Sequence, residues 1–273
     1  THQTGEHWEI SAKWNLSYVI VRARCDRLCC HPAVRRRNLY FYHTCKPSNT
    51  SDVLMKLLII NPNINSATNE RIRAIAEPMI GAPDELEVVS ADSGIELIET
   101  VKQSELTIPA VLAMVKARHT EVGAIIIAAF SDPGLKEAQS MASCTVVGIS
   151  EAAMKTAANL AARFSIITLG SELGLAIKRN ALSYGVANQL AAVTILPWTV
   201  SQVSAAPKSH RRAFVDACKR TIIKDGVGAI IIGGGPLSGI ADSIADDLPV
   251  PVLDGVRCAV EMVLMSPRKD VLS

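Results

Sequence analysis

From Met55 onward, short runs of apolar, mostly β-branched residues alternate with longer stretches in which apolar residues recur every three or four positions. Short runs of this kind are typical of buried strands and the longer stretches of amphipathic helices, so their alternation predicts a parallel α/β sheet. The predicted strands of the first half are KLLIIN, ELEVVS, AIIIAAF and TVVGI, beginning at Lys56, Glu85, Ala124 and Thr145. Those of the second half are RFSIITLG, LAAVTIL, AIIIGGG and VPVLDG, beginning at Arg163, Leu190, Ala229 and Val250.

Helices are predicted between these strands. In the first half they are a helix with Ile72, Ile75, Ala76 and Met79 on one face, a helix over residues 108–118, and a helix from Pro133. In the second half they cover residues 172–183 and 211–224, a short stretch after the glycine run, and residues 256–264.

The hexamer VGAIII occurs twice, at residues 122–127 and 227–232, a separation of 105. The flanking strands repeat at similar offsets, Leu57 to Phe164 at 107 and TVVGI to PVLDG at 106. This regularity predicts an internal duplication: a first lobe over residues 55–160 and a second over residues 161–254, each with a four-stranded parallel sheet. The C-terminal helix, residues 255–268, is expected to pack on the first lobe. Ligands of open α/β sheets bind at the carboxyl ends of strands, which predicts a ligand cleft between the lobes.

Residues 1–54 differ in composition from the rest of the chain. They hold 8 of the 28 Lys and Arg residues, four of the seven cysteines and four of the six histidines. We interpret them as a poorly ordered extension or as sequence upstream of a natural start at Met55. The alternative is a zinc site, whose candidate ligands are Cys25, Cys29, Cys30, His31, His43 and Cys45. Their spacing matches the paired ligands of structural zinc sites poorly, so no metal is expected.

The bulk composition excludes several classes of protein. A hydrophobic content of 49% with 20% charged residues is that of a globular protein, and no apolar run is long enough for a membrane span. A net charge of +2 does not favour nucleic acid as a partner. The other cysteines, Cys144, Cys218 and Cys258, form no disulfide framework, which favours a cytoplasmic location; the last two are expected in the core.

Two loops carry the candidate chemistry. AAFSDPG follows the third strand of the first half and GGGPLSG that of the second, and each leads into a helix, with Pro133 and Pro236 suited to its first turn. Two helix N-termini facing one cleft would bind a small carboxylate or imide. The glycine spacing and Pro236 argue against a dinucleotide site, and no phosphate-binding P-loop is present, so no cofactor is expected.

Residues 55–268 resemble the aspartate/glutamate/hydantoin racemase superfamily, in particular its hydantoin and allantoin racemase branch. The resemblance rests on LLIINPN (57–63), AAFSDPGL (128–135), VVGISEAAM (146–154), RFSIIT (163–168), IIGGGPLSG (231–239) and VPVLDGVRCAV (250–260). It implies cofactor-independent proton transfer: one thiol removes the α-proton of the substrate, a second returns a proton on the opposite face, and loop N–H groups stabilise the enolate.

The chain departs from this pattern at both thiols, since the family's cysteine positions fall on Ala129 and Gly234. Neither side chain can move a proton. The candidate substitutes are Asp132 and Glu151, and Asp254 is placed like Glu151 in the second half. Each has a structural alternative, Asp132 as the cap of the helix from Pro133 and the other two as helix-start carboxylates. Ser131 and Ser238 lie on the right loops, but an unassisted hydroxyl is a poor base.

The resemblance also implies that the loop around Asn61 and Asn63, with Thr168 in the second half, contacts the substrate; the alternative for the asparagines is turn formation. The predicted substrate-binding residues are Asn61, Asn63, Phe130, Ser131, Thr168, Gly233, Gly235 and Ser238. Three hypotheses follow: a racemase or isomerase of amino-acid derivatives with a non-thiol acid–base pair, a silent protein that binds a small carboxylate or hydantoin-like ligand, and a lyase or decarboxylase. A homo-oligomer is expected, without nucleic-acid or membrane partners.

Overall fold

The computed structural model describes residues 54–170 and 172–266. The six candidate zinc ligands of the N-terminal segment lie outside the described residues. The strands are β1 Lys56–Asn61, β2 Glu85–Ser90, β3 Ala124–Ile127, β4 Thr145–Gly148, β5 Phe164–Thr168, β6 Leu190–Ile195, β7 Ala229–Gly233 and β8 Val252–Asp254. The α-helices are α1 Ser66–Ala76, α2 Val101–Arg118, α3 Leu135–Met141, α4 Ile149–Leu160, α5 Leu173–Ser183, α6 Val200–Ala205, α7 Pro207–Asp225, α8 Ile240–Ile244 and α9 Gly255–Met265. Three 3-10 helices cover Glu77–Met79, Gly235–Leu237 and Ala245–Asp247.

The strands form two parallel four-stranded sheets with the same topology. Their orders are β2-β1-β3-β4 and β6-β5-β7-β8. In each sheet the first strand pairs with the third, Ile59 beside Ile126 and Ile166 beside Ile231. The predicted α/β architecture of two four-stranded parallel sheets flanked by helices is therefore confirmed.

Each sheet buries both of its faces, because successive side chains of a strand point to opposite sides. Leu58 and Ile60 of β1 belong to an outer core with α2 and α3. The outer face of the second sheet packs against α6, α7 and α8 in the same way. Leu57 and Ile59 belong instead to a central core, which also contains Ile166 of β5 and the apolar faces of α1, α4, α5 and α9. The two sheets thus share a middle layer of four helices.

Helices α4 and α9 pack against each other within this layer, and each also contacts both sheets. They meet near Ile149 and Gly255, which are the first residues of the two helices. A Cβ atom on Gly255 would lie 3.1 Å from the Ile149 carbonyl oxygen, so this contact requires glycine or a small shift of the backbone. α9 also contacts α1 and β4 of the first lobe.

Three helix starts and one helix differ from the sequence prediction, and the start of α3 at Leu135 instead of Pro133 is one of them. α2 begins at Val101, not near Ile108, because Thr100 and Gln103 form a capping box and the helix accommodates Pro109 in its interior. α7 begins at Pro207 instead of Arg211. The six-residue α6 was not predicted, because it is too short for a helical apolar period. Over the described ranges, no helix is long and apolar enough to cross a lipid bilayer.

Candidate functional site

The loops that follow β3 and β7 contact each other at the carboxyl ends of the two sheets. A Cβ atom on Gly233 would lie 2.7 Å from the ring of Phe130, and one on Gly235 would lie 2.5 Å from the carbonyl oxygen of Ala128. Side chains at these two positions would therefore separate the loops. The structure brings together the two segments to which the sequence resemblance assigns the family's thiol positions.

Neither thiol position carries an ionisable group. Ala129 is buried at the end of β3. Gly234 has φ 140° and ψ 132°, a conformation that L-residues with a side chain rarely adopt. A cysteine at position 234 would be strained in this backbone, although the nearest side-chain atom, Cγ of Leu237, would lie 3.4 Å from its Cβ.

Asp132 caps a helix other than the one predicted from sequence. α3 begins at Leu135, after Gly134 in the left-handed conformation, so Pro133 precedes the helix. The carboxylate of Asp132 instead accepts hydrogen bonds from the first turn of α4, from the N–H of Ser150 at 3.1 Å and of Glu151 at 2.8 Å. Asp132 itself has φ 47°, a left-handed conformation that aspartate tolerates better than most residues and that belongs to this tight loop.

Burial sets the ionisation of Asp132. Desolvation raises its pKa to about 7, against hydrogen bonds from Tyr184 and from the backbone that lower it. The Tyr184 hydroxyl donates to Oδ2 at 2.6 Å. Burial and the neighbouring Asp132 raise the pKa of Tyr184, so the phenol stays protonated and remains a donor.

Asp254 places a carboxylate at the equivalent point of the second lobe. It precedes α9, and its Oδ1 accepts from the N–H groups of Val256 and Arg257, while Oδ2 accepts from Gly239 N–H at 2.9 Å. Val256 and Arg257 match the donors of α4 at the offset of 106 found in the sequence. Burial raises the pKa of Asp254, as it does for Asp132.

Glycine at the matching position of the first lobe explains why that lobe takes its capping carboxylate from Asp132. Position 148 corresponds to Asp254 at the same offset of 106 and holds glycine. A Cβ atom on Gly148 would overlap the carboxyl group of Asp132. Each lobe therefore caps the helix after its fourth strand with a buried carboxylate, but supplies this cap from a different chain position.

Glu151 lies beside Asp132 in the same lobe. It is buried in the first turn of α4, where Oε1 pairs with Lys155 at 2.7 Å and Oε2 accepts from Gln139 at 3.2 Å. Because Glu151 N–H is itself bonded to Asp132, the two carboxylates lie on one side of the site. Both carboxylates therefore belong to the first lobe, and the second lobe supplies neither of them.

Asn61 and Asn63 are buried and bonded to each other, Asn61 Nδ2 donating to Asn63 Oδ1 at 3.0 Å. Asn63 Oδ1 also accepts from the N–H of Asn65, which is the N-cap of α1. Asn61 donates further to Asn69 at 2.8 Å, and Asn69 in turn to Ser90. These contacts have the form of the turn that was the alternative to substrate binding.

The hydroxyl groups at the site differ in whether they already have a hydrogen-bond partner. Thr168 donates to the carbonyl oxygen of Gly233 at 2.7 Å, which ties the end of β5 to the glycine run. Ser131 accepts from Ser104 of α2 at 2.6 Å. The hydroxyl of Ser238 is buried without a hydrogen-bond partner within the described residues.

Each loop is held by a helix of the opposite lobe. Asn180 and Tyr184, on and just after α5, bond to Ser131 and Asp132 of the first lobe. In the reverse direction, Thr68 and Ile75 of α1 face Gly235 and Gly239 of the second lobe. Tyr184, Asn180 and Ser104 were not predicted as site residues, because they come from distant segments and no local motif marks them.

The remaining candidates lie away from these loops. Cys218 and Cys258 are buried on α7 and α9 as predicted, and burial raises the pKa of Cys218 to about 12. Cys144 directly precedes β4, at the end of the sheet opposite the site. Among residues 54–170 and 172–266, no group of three or more His, Cys, Asp or Glu side chains is arranged to bind a metal.

Two parallel sheets with a common helical layer, and facing loops at their carboxyl ends, define the class of α/β fold that the sequence resemblance implied. The protein-family model described as Asp/Glu/Hydantoin racemase matches residues 57–263, so the chain belongs to the Asp/Glu/hydantoin racemase family.

Individual relatives agree with this assignment. The hydantoin racemase of Pseudomonas sp. (strain NS671) is 31% identical over 208 residues, which are 76% of this chain and 84% of the relative. The structure of allantoin racemase from Klebsiella pneumoniae has 32% identity and a TM-score of 0.73, over 77% of this chain and 86% of that one. The allantoin racemase structure from Pseudomonas fluorescens has 27% identity and a TM-score of 0.73, over 77% and 89%. Together these matches support a racemase-like function.

Proposed function

We propose that the protein is a cofactor-independent, racemase-like isomerase that binds a small hydantoin-like or carboxylate ligand between its lobes. The observation that carries the proposal is the contact between the β3 and β7 loops, with Phe130 against Gly233. Relatives named hydantoin racemase and allantoin racemase supply the ligand class. A cytoplasmic, homo-oligomeric protein remains part of this proposal.

The ligand contacts that we propose are the residues predicted from the sequence. We rank them by the hydrogen-bonding capacity that each still has free for a ligand. Ser238 has the strongest support, because its buried hydroxyl lacks a partner among the described residues and such a group gains free energy by bonding to a ligand. Ser131 follows, since its hydroxyl accepts from Ser104 and keeps its own proton to donate. Asn61 and Asn63 come last, because they bond to each other and to the turn before α1.

Proton transfer without thiols requires another acid–base pair. Racemisation needs groups on opposite faces of the carbon, which disfavours Asp132 with Glu151, since both come from the first lobe. Asp132 with Asp254 meets the requirement better, because each belongs to a different lobe and burial raises both pKa values. In the proposed reaction one carboxylate takes the α-proton, loop N–H groups stabilise the enolate, and the other carboxyl group returns a proton to the opposite face.

Solvent deuterium exchange at the α-carbon tests this mechanism. We expect exchange and loss of optical rotation for at least one member of a panel of 5-substituted hydantoins, allantoin, aspartate and glutamate. Asp132→Asn and Asp254→Asn should each slow exchange by about 100-fold or more. Asp246→Asn, at an exposed aspartate of the second lobe, is the matched control and should leave the rate unchanged.

A second candidate function is ligand binding without chemistry. It is favoured by the hydrogen bonds that Asp132 and Asp254 already accept from helix N-termini, together with the residues at the two thiol positions. Thermal stabilisation by a panel compound without any deuterium exchange would support this candidate and contradict the isomerase. Neither exchange nor stabilisation by any panel compound would contradict both.

A further inference from the structure

Helix α6 of the second lobe lies against the 3-10 turn Gly235–Leu237, directly after the thiol position Gly234. Val200 and Val203 bury its inner face in the outer core of the second sheet. A helix of six residues has little stability by itself, because nucleation costs more than so few hydrogen bonds return. Its position must therefore depend on contacts with its surroundings.

Two charged side chains of the first lobe bond to the two ends of α6. At the start, the carboxylate of Glu99 accepts a hydrogen bond from Val200 N–H. At the end, Nη2 of Arg71 donates to the carbonyl oxygen of Ser204 at 2.6 Å. An acid at the N-terminus and a base at the C-terminus are the charges that stabilise a helix dipole.

The segment that carries Glu99 is anchored to the second lobe. Leu97 packs against the outer core that contains Val200 and Val203. The backbone of Glu99 also approaches the loop after β5 closely, since a Cβ atom on Gly170 would lie 2.8 Å from the Glu99 carbonyl oxygen. Glu99 is therefore placed at the start of α6 by its own backbone and not by a freely moving side chain alone.

We propose that α6, which we call the strap, can detach from the turn after Gly234 and that this detachment, or opening, controls ligand access. Glu99 and Arg71 of the first lobe hold its two ends in place in the closed, or fastened, state. As a statement about access, the proposal rests on the proposed ligand site. The fastening itself does not depend on any ligand.

Unsatisfied polar atoms in the fastened state explain why the strap can open. Nη1 of Arg71 and Oγ of Ser204 are buried without a hydrogen-bond partner among the described residues. Burial of the guanidinium also lowers the pKa of Arg71, which means that desolvation works against its charge. Opening would return both atoms to water, and their hydration would offset part of the free energy of the two hydrogen bonds that are lost.

Hydrogen exchange of the full chain, followed by mass spectrometry, tests the fastening. Arg71→Ala and Glu99→Ala should each speed exchange of the amides of residues 199–206 about tenfold or more. The amides of Gly235, Leu237 and Ser238 should exchange faster with them, because α6 covers this turn. Matched controls are Arg73→Ala, on the same helix in an exposed pair with Glu70, and Glu96→Ala, an exposed acid three residues before Glu99; both should match the wild type.

Glu99→Gln keeps the size and an acceptor oxygen while removing the charge, and we expect an increase smaller than that of Glu99→Ala. If Arg71→Ala destabilises the whole chain, this variant still tests whether the first lobe holds α6 in place. Exchange of residues 199–206 at the wild-type rate in the Glu99 variants would overturn the strap. Faster exchange in α6 with unchanged protection of residues 235–238 would overturn it as well.

Ligand kinetics separate the strap from the proposed function. With the panel compound that binds, association and dissociation should both become faster in the two alanine variants, by about the factor seen in exchange. Unchanged rates in variants with a loosened α6 would overturn control of access. If the wild type binds no panel compound, the proposed function fails, while the exchange experiment still decides whether α6 is fastened.

Discussion

At the scale of single residues, Gly234 differs from Ala129, the other position that the resemblance assigns to a thiol, because its backbone conformation is strained for any side chain. Its φ of 140° is unfavourable for any L-residue. We expect Gly234→Ala to lower the free energy of unfolding by about 1–3 kcal/mol, measured by chemical denaturation. Gly81→Ala is the control, because Gly81 has an ordinary φ and open space for a Cβ, and it should be nearly neutral. Equal effects of the two substitutions would contradict the strain. The same cost would accompany any cysteine restored at position 234.

Asp132 gives a prediction about pH. Burial raises its pKa in the folded chain to about 7 from an ordinary value of 3.8, so the folded state binds more protons than the unfolded state between these two values. The stability that this protonation contributes is present below about pH 4 and is lost as the pH rises through 7. Asp132→Asn removes this dependence, although the amide loses one backbone hydrogen bond at every pH.

The variant should therefore gain stability relative to the wild type as the pH rises from 4 to 7, by about 4 kcal/mol at most. Urea denaturation at several pH values measures the difference. A difference that stays constant over this range would show that the carboxylate of Asp132 remains charged in the folded chain.

At the scale of elements, the two helices that follow the fourth strands are capped by carboxylates from different positions. Gly148 and Asp254 have similar backbone conformations, with φ −93° and −100°, so aspartate fits at position 148 once Asp132 is removed. Asp132→Gly alone should cost about 1–2 kcal/mol through the lost cap. Gly148→Asp alone should cost more, because the two side chains overlap.

The double variant Asp132→Gly with Gly148→Asp should recover part of the loss, with a coupling energy of about 1–3 kcal/mol. Thermal unfolding of the four proteins in a double-mutant cycle measures it. If the two losses simply add, the capping position is not shared.

The elements also show what sequence patterns can and cannot predict. Both sheets and most helices could be predicted, because apolar periodicity records which face of each element is buried. The cap of α4 could not, since Asp132 and Ser150 are 18 residues apart and Pro133 offered a nearer helix. The strap α6 lacked a signal for the same reason: its position depends on Glu99 and Arg71, which are 101 and 133 residues away.

At the scale of the whole molecule, the lobes share one core, and α4 and α9 meet at Ile149 and Gly255. We expect Gly255→Leu to destabilise both lobes together, by about 2 kcal/mol or more, because a large side chain there separates the two helices. Hydrogen exchange in denaturant should show β1 and β5 losing protection at the same lower concentration. Gly81→Leu, in open space, is the control. Loss of protection in one lobe only would contradict a common core.

The sequence predicted the site less completely than the fold. The two loops could be placed opposite each other because each follows the third strand of its sheet in chain order. Tyr184, Asn180 and Ser104, which hold the first loop, could not be found, because contacts between segments far apart along the chain leave no local pattern. The pairing of Asp132 with Glu151 as acid and base is disfavoured by their position on one side of the site.

The shared middle layer also has a consequence for dissection of the chain. A fragment ending after α4 would lose the cover that α9 gives to β3 and β4, and α4 would lack the strands of the second sheet that it contacts. Such a fragment would carry an incompletely covered sheet face and a helix, α4, whose apolar surface could pack on that face in another copy. Separately expressed halves should therefore self-associate or precipitate when alone, and complement each other into a folded heterodimer when mixed.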